Sequence, residues 1–335
     1  MKRHLTWIQV LNHSRETLKR GFSAWTFVVK LMIPALIAIR LLLYFDLVEP
    51  AARVFAPAMS LMGLPPETAL VWISGLVANL YVSISVYLAL APLLDPGLTL
   101  AQMTILGGMC LLAHSLLVEG QICRGTGLSF WRVSVFRILA GVLWGFLIHQ
   151  AAGLTGWGTE PSQIKEFVNL ASGEPVPPWG TWFWLTLKQL FLILLLIEAL
   201  LLLMEAIKFF NLTRLLMKLM GPPLKVAGVS DSAMMVTIIG CMVGLGYGGG
   251  LIVAESRSGH LAARDIFGSV IFMCFFHSML EDTLLMWALG GSLWCFLVLR
   301  LALALALTAG VTRLAILPFW RPILVGSESG VDSKP

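Results

Sequence analysis

Six apolar runs, at about 25–47, 99–121, 128–150, 182–210, 265–288 and 293–317, constrain this chain more than anything else in it. A hydrocarbon core of ~30 Å is crossed by roughly 20 helical residues. Inside lipid, a run of that length must satisfy its own backbone, which a helix does. The fold class this predicts is an all-α polytopic membrane protein. Two further apolar runs, 67–91 and 233–254, are less plain. Of the 335 residues 58% are hydrophobic and only 12% charged, so a soluble domain is excluded. The net charge of +5 is no sign of a nucleic-acid partner, because the lysines and arginines stand beside the spans.

The first run is too long for a signal-peptide core and has no convincing small-residue cleavage site, so it is expected to remain as a span. Ahead of it, residues 1–22 set Leu5, Ile8, Leu11 and Leu18 at helical intervals among Lys2, Arg3, Arg15, Lys19 and Arg20. This suits a basic amphipathic segment on an anionic leaflet; an ordinary solvated leader is the alternative. The five cysteines have no Cys-x-x-Cys spacing, so neither a disulfide framework nor a metal site is indicated, and no cofactor is expected.

The chain repeats itself. A shift of 163 residues lays His114 on His277, Ser115 on Ser278, Leu117 on Leu280, Glu119 on Asp282, Trp131 on Trp294 and Arg137 on Arg300. Upstream, a shift of 165 lays Pro57 on Pro222, Gly63 on Gly228 and Gly75 on Gly240. Two copies of one membrane unit are the reading, with a mere echo of hydropathy as the alternative.

Charge decides how the copies lie. If all eight apolar runs crossed, Lys208, Arg214, Lys218 and Lys225 would fall outside, against the positive-inside rule. If 67–91 and 233–254 enter and return, those residues, Arg124, Arg257, Arg264, Arg313 and Arg321 share the inner side with both termini. The 151–180 loop, with Glu160, Glu166 and Glu174 against Lys165, falls outside. Its tryptophans rest at the interface, or the loop lids the centre. Three crossings per copy turn the second copy upside down: two inverted repeats of three crossing helices, each with a re-entrant or broken hairpin. The expected organisation is a leader 1–22, repeat 23–150, extracytoplasmic loop 151–180, repeat 181–322 and flexible tail 323–335.

Both hairpins carry signs of a break. In "GCMVGLGYGGGLI" (240–252) six of thirteen residues are glycine, each costing roughly 1 kcal/mol against alanine in an ordinary helix. Close helix contact through small residues is the alternative. In the first copy Asn79, Tyr81, Ser83 and Ser85 alternate with apolar side chains. Asn79, Gly246 and Tyr247 are the expected tips, where half-helix ends hold a polar solute or an ion.

The stretches "GLPPETALVWISGLVANLY" and "GVSDSAMMVTIIGCMVGLGYGGGLIVAESRSGHLAARD" resemble the nucleoside-recognition or gate domain. Concentrative nucleoside transporters, the membrane part of ferrous-iron transporter B and bacterial spore maturation proteins share that domain. The resemblance spans about 50–150 and 215–315 through loose motifs. Where the iron transporters have Gly-Phe-Gly-Cys-Asn-Val-Pro, this chain has Gly244, Leu245, Gly246, Tyr247 and Gly248, without the cysteine or asparagine. It also lacks a Gly-x-x-x-x-Gly-Lys-Ser/Thr loop, which argues against iron transport by the family's scheme. The resemblance implies a solute carrier or, from the spore maturation group, a non-transporting component of envelope or spore-type assembly.

Charge at mid-bilayer costs ~2.5–3.5 kcal/mol per residue on insertion scales and marks a partner or a cavity. His114 and Arg137 should sit at similar depth on neighbouring antiparallel helices, and His277 with Arg300 likewise, while His277 and Glu281 share a helix face. The candidate solute-binding set is Asn79, Tyr81, Ser83, His114, Ser115, Glu119, Arg137, Gly244, Gly246, Tyr247, His277, Ser278, Glu281, Asp282 and Arg300. Structural ion pairs are the alternative role for its charges. The second histidine of a His-Glu-x-x-His site is missing after His277, which gives no support to an intramembrane enzyme. The expected function is a carrier for a small polar or anionic solute in the cytoplasmic membrane of a bacterium; that the solute is nucleoside-like is implied by the resemblance alone. Its expected partners are membrane lipid, the solute, a proton or sodium as coupling ion, and further copies of itself.

Overall fold

The structure is a computed structural model and describes residues 7–94, 96–164, 176–209, 212–258 and 261–313. Within these, side chains are not described for 7–17, 200, 204–209, 212–214, 216, 217, 243, 246–249, 256–258 and 263. The expected tail, the end of the second repeat, Arg321, Lys165, Glu166 and Glu174 lie outside the described residues.

The described chain is helical throughout, with no strand beyond a single bridge between Thr99 and Pro161. Among the described residues, six helical segments are long and apolar enough to cross a membrane: Leu18–Tyr44, Leu100–Gly125, Phe130–Thr155, Trp179–Leu203, Arg264–Ala288 and Cys295–Arg313; Lys218–Val226 and Asp231–Met242 pass the same test only as a pair bent by 116°. Each falls on one of the six apolar runs. The basic leader is not an element of its own, since α1 (Trp7–Tyr44) runs through residue 22 without a break.

After the short helices α2 (Val48–Arg53) and α3 (Ala56–Ser60), the first half continues as α4 (Thr68–Val77), α5 (Leu80–Leu90), α6 (Leu100–Leu112), α7 (Leu116–Gly125) and α8 (Phe130–Thr155). The second half opens with α9 (Trp179–Phe209) and α10 (Leu212–Val226). It then gives α11 (Asp231–Val243), α12 (Leu245–Ser258), α13 (Ala263–Phe276), α14 (Glu281–Ala288) and α15 (Arg300–Arg313). Both halves therefore run from a long helix through two pairs of short helices to a final span.

The two less plain runs are both interrupted. The chain leaves the helix at Ala78, where φ is −99° and ψ −91°, and Asn79 restarts it by accepting from the Val82 amide at 3.0 Å. α5 then doubles back on α4: the Ser83 hydroxyl donates to the Val71 carbonyl at 2.8 Å, and a Cβ on Gly75 would meet that hydroxyl at 3.1 Å. In the second half the interruption falls at Gly244, with φ +93°. A Cβ there would also lie 2.7 Å from Ser278 Oγ, so only glycine fits. The expected tips Gly246 and Tyr247 lie inside α12, because the break comes two residues earlier than the glycine run suggested.

α6 packs along α8 and α13 along α15, the first helices α1 and α9 pack on each other, and α12 reaches across to α7. The connector between the halves is tied to both. The Leu100 and Ala101 amides donate to the Glu160 and Gly158 carbonyls at 2.9 and 3.0 Å. The Ser162 hydroxyl donates to the Leu289 carbonyl at 3.3 Å.

Candidate functional site

Two of the six spans unwind in their middle, at the repeated His-Ser. α6 ends at Leu112, Ala113 is extended, and Ser115 takes a left-handed conformation with φ +49° before α7 begins. α13 ends at Phe276, His277 is extended, and Ser278 has φ +44° before α14. A left-handed serine costs ~1–2 kcal/mol and persists only where its surroundings impose it. The hairpins supply what the unwound backbone needs. The break after Val77 ends the helical ladder and frees the Gly75 carbonyl, which accepts from the Ser115 amide at 2.9 Å. The break at Gly244 likewise frees the Cys241 carbonyl for the Met279 amide, also at 2.9 Å.

The unwinding brings His114 and His277 face to face. Their Nε2 atoms are 3.2 Å apart and both residues are buried. Each Nδ1 lies 2.8 Å from a backbone carbonyl four residues earlier, Cys110 for His114 and Met273 for His277. A carbonyl only accepts, so each Nδ1 carries a proton, and a ring that holds no second proton offers a bare Nε2 to the centre. Two carboxylates close on the same point. Glu119 Oε1 lies 3.1 Å from His277 Nε2 and 3.6 Å from His114 Nε2. Asp282 Oδ2 lies 3.6 Å from His114 Nε2 and 3.9 Å from His277 Nε2, and this buried oxygen has no hydrogen-bond partner.

The arginines stand behind. Arg137 Nε donates to the Leu112 carbonyl at 3.0 Å, and Arg300 Nε donates to Phe275, the equivalent carbonyl, at 2.8 Å. Arg137 Nη1 also donates to Glu119 Oε2 at 2.5 Å, leaving the other oxygen of that carboxylate to the histidines. Aspartate is one methylene shorter than glutamate, and here the symmetry fails. Arg300 instead donates to Thr283 Oγ1 at 3.5 Å and to the Leu111 and His277 carbonyls at 3.3 and 3.2 Å. A π-helical turn at Cys295–Leu299 sets Arg300 in place, an irregularity that often accompanies functional positions.

Of the residues singled out in the sequence, His114, Glu119, Arg137, His277, Asp282 and Arg300 form one buried cluster with contributions from both halves. Ser115 and Ser278 shape its backbone, and Asn79 and Gly244 mark the hairpin breaks. Tyr81 donates to Glu281 Oε1 at 2.7 Å and so joins the first hairpin to α14. Ser83 turns to the Val71 carbonyl and lies 3.3 Å from Cys110 Sγ. The expected helix face shared by His277 and Glu281 is absent, because the helix is interrupted between them. The pairing of each histidine with its arginine is replaced by histidine with histidine. Of Gly246 and Tyr247 only the backbone is described. Thr283 and the backbone carbonyls of Gly75 and Cys241 carried no signal in the sequence.

Chemically the centre is a set of acceptors. His114, His277 and Asp282 each offer a ligand atom within 4.8 Å of the others, an arrangement able to hold a metal ion. Local spacing gave no hint of it, because the histidines come from different halves.

No family model matches the chain. No solved structure matches it. It is similar to an uncharacterized membrane protein, YvoD, of Bacillus subtilis (strain 168), with 25% identity over 316 residues. That match covers 93% of this chain and 97% of the relative, so it runs through both halves and the connector. With six apolar helices able to span and a membrane protein as its end-to-end relative, the chain is a polytopic membrane protein.

Proposed function

We propose that the chain is a carrier that moves a small polar solute across the cytoplasmic membrane of a bacterium, with the His114–His277 cluster as its solute site. One observation carries this reading: in both halves a hairpin and a span are interrupted at corresponding places, and the spans' interruptions meet at buried polar groups. Helices broken at mid-membrane are how carriers expose backbone dipoles and polar side chains to a solute. In this reading the halves lie inverted, three spans each, with both termini on the cytoplasmic side. The resemblance to the nucleoside-recognition domain supports the carrier class. An anionic solute has less support, since Arg137 and Arg300 already donate to Glu119, Thr283 and carbonyls, although Arg137 Nη2 is buried without a partner.

A second reading, a non-transporting component of envelope assembly, is favoured by the closeness of the centre, whose facing atoms leave no room for an organic solute. The two readings part on access. With the native cysteines replaced, Ser278→Cys in sealed vesicles should react with an impermeant thiol reagent from either face in turn if the protein is a carrier. Reaction from one face alone, or from neither, defeats the carrier reading.

A further inference from the structure

Four buried atoms converge between the halves: Nε2 of His114, Nε2 of His277, Oε1 of Glu119 and Oδ2 of Asp282. Each imidazole gives its Nδ1–H to a carbonyl, so with one proton per ring and the carboxylates ionised all four atoms are acceptors. Acceptors pressed together without a donor repel, and Asp282 Oδ2 lacks any hydrogen-bond partner. Something positive belongs at their centre.

The separations identify its class. Nitrogen and oxygen ligands at ~2.0–2.2 Å from a tetrahedral ion stand about 3.3–3.6 Å from one another. Five of the six pairs among these atoms stand 3.1, 3.2, 3.6, 3.6 and 3.9 Å apart, and His114, His277 and Asp282 all lie within 4.8 Å of one another. A proton serves worse. Placed on His277 it reaches Glu119 at 3.1 Å, but His114 Nε2 and Asp282 Oδ2 remain facing each other at 3.6 Å. The ligand types narrow the choice further. Two imidazoles beside two carboxylates suit a divalent first-row transition metal, whereas calcium and magnesium take all-oxygen shells and copper(I) takes sulfur. The surroundings have the form of an outer coordination shell. Each histidine donates its remote N–H to a carbonyl, and Arg137 holds the far oxygen of Glu119, the contacts that fix ligands in metal sites.

We propose that His114, His277, Glu119 and Asp282 hold one divalent first-row transition-metal ion between the two halves. This names an occupant for the cluster proposed above as the solute site, and binding of the ion is measurable whether or not the protein is a carrier.

The test uses the full chain purified in detergent, stripped with a chelator and titrated with Zn2+ or Co2+. One equivalent of Zn2+ should bind, and Co2+ should show the visible absorption of a four-coordinate ion. Asp282→Asn should weaken binding by more than the ~10–100-fold that loss of an outer-shell partner costs. The double variant His114→Gln/His277→Gln should abolish it. Sub-stoichiometric Zn2+, a six-coordinate Co2+ spectrum, or binding that survives the double variant overturns the proposal. The Co2+ spectrum needs no variant, so the question is answered even if the substitutions prevent folding. Proteoliposomes carrying an internal metal-sensitive dye separate the two claims. Binding without uptake removes this ion as the carried solute and leaves the site, whereas absence of binding removes the site and leaves the carrier reading to the thiol test.

Discussion

Arg137 and Glu119 are both buried, so their bond is protected from solvent while each depends on the other for its charge. Removing one partner of such a pair strands the other. Arg137→Met should therefore lower stability by about 3–5 kcal/mol, measured by unfolding of the purified protein in detergent. Adding Glu119→Gln should recover a large part of that loss, because an amide is far cheaper to bury than an unpaired carboxylate. Losses that simply add would show that the two side chains act independently. Arg300 should behave otherwise. Its donors are spread over Thr283 and three carbonyls, so no single acidic substitution mimics its loss.

At the scale of elements, Asn79 is the cap on which the return of the first hairpin rests. Asn79→Ala should cost about 1 kcal/mol, and Asn79→Ser, which keeps a capping oxygen, a few tenths; equal losses would deny the cap its role. The spans were legible because 20 apolar residues in lipid have so few alternatives. Gly244 was legible in part: the glycine run announced a break, yet only the position needing both a positive φ and room for Ser278 carries it. The unwinding at Ser115 and Ser278 was not legible. Neither glycine nor proline stands there, and the left-handed turn is imposed by carbonyls of a hairpin some forty positions earlier in the chain. For the same reason His114, Glu119, His277 and Asp282 could be nominated as buried polar groups without showing that the two histidines meet. Their meeting is a property of how the halves pack.

For the whole molecule, the proposed inverted arrangement puts the turn between α10 and α11 on the same side as the N-terminus, with the connector opposite. Single cysteines at Ser232 and Thr159, both exposed, should then label from opposite faces of sealed vesicles; labelling from one common face would overturn the inverted plan. The expectation of two inverted copies comes from a repeat and a charge bias spread over hundreds of residues. What the sequence could not carry is the strap. Residues 158–162 are sewn to the start of α6 on one side and to Leu289 on the other. The connector thus ties the two halves to each other as well as joining them in sequence. The halves also meet where α7 packs on α12, so they are held at the connector and again beside Gly125, and a shift of one half against the other would have to disturb both contacts.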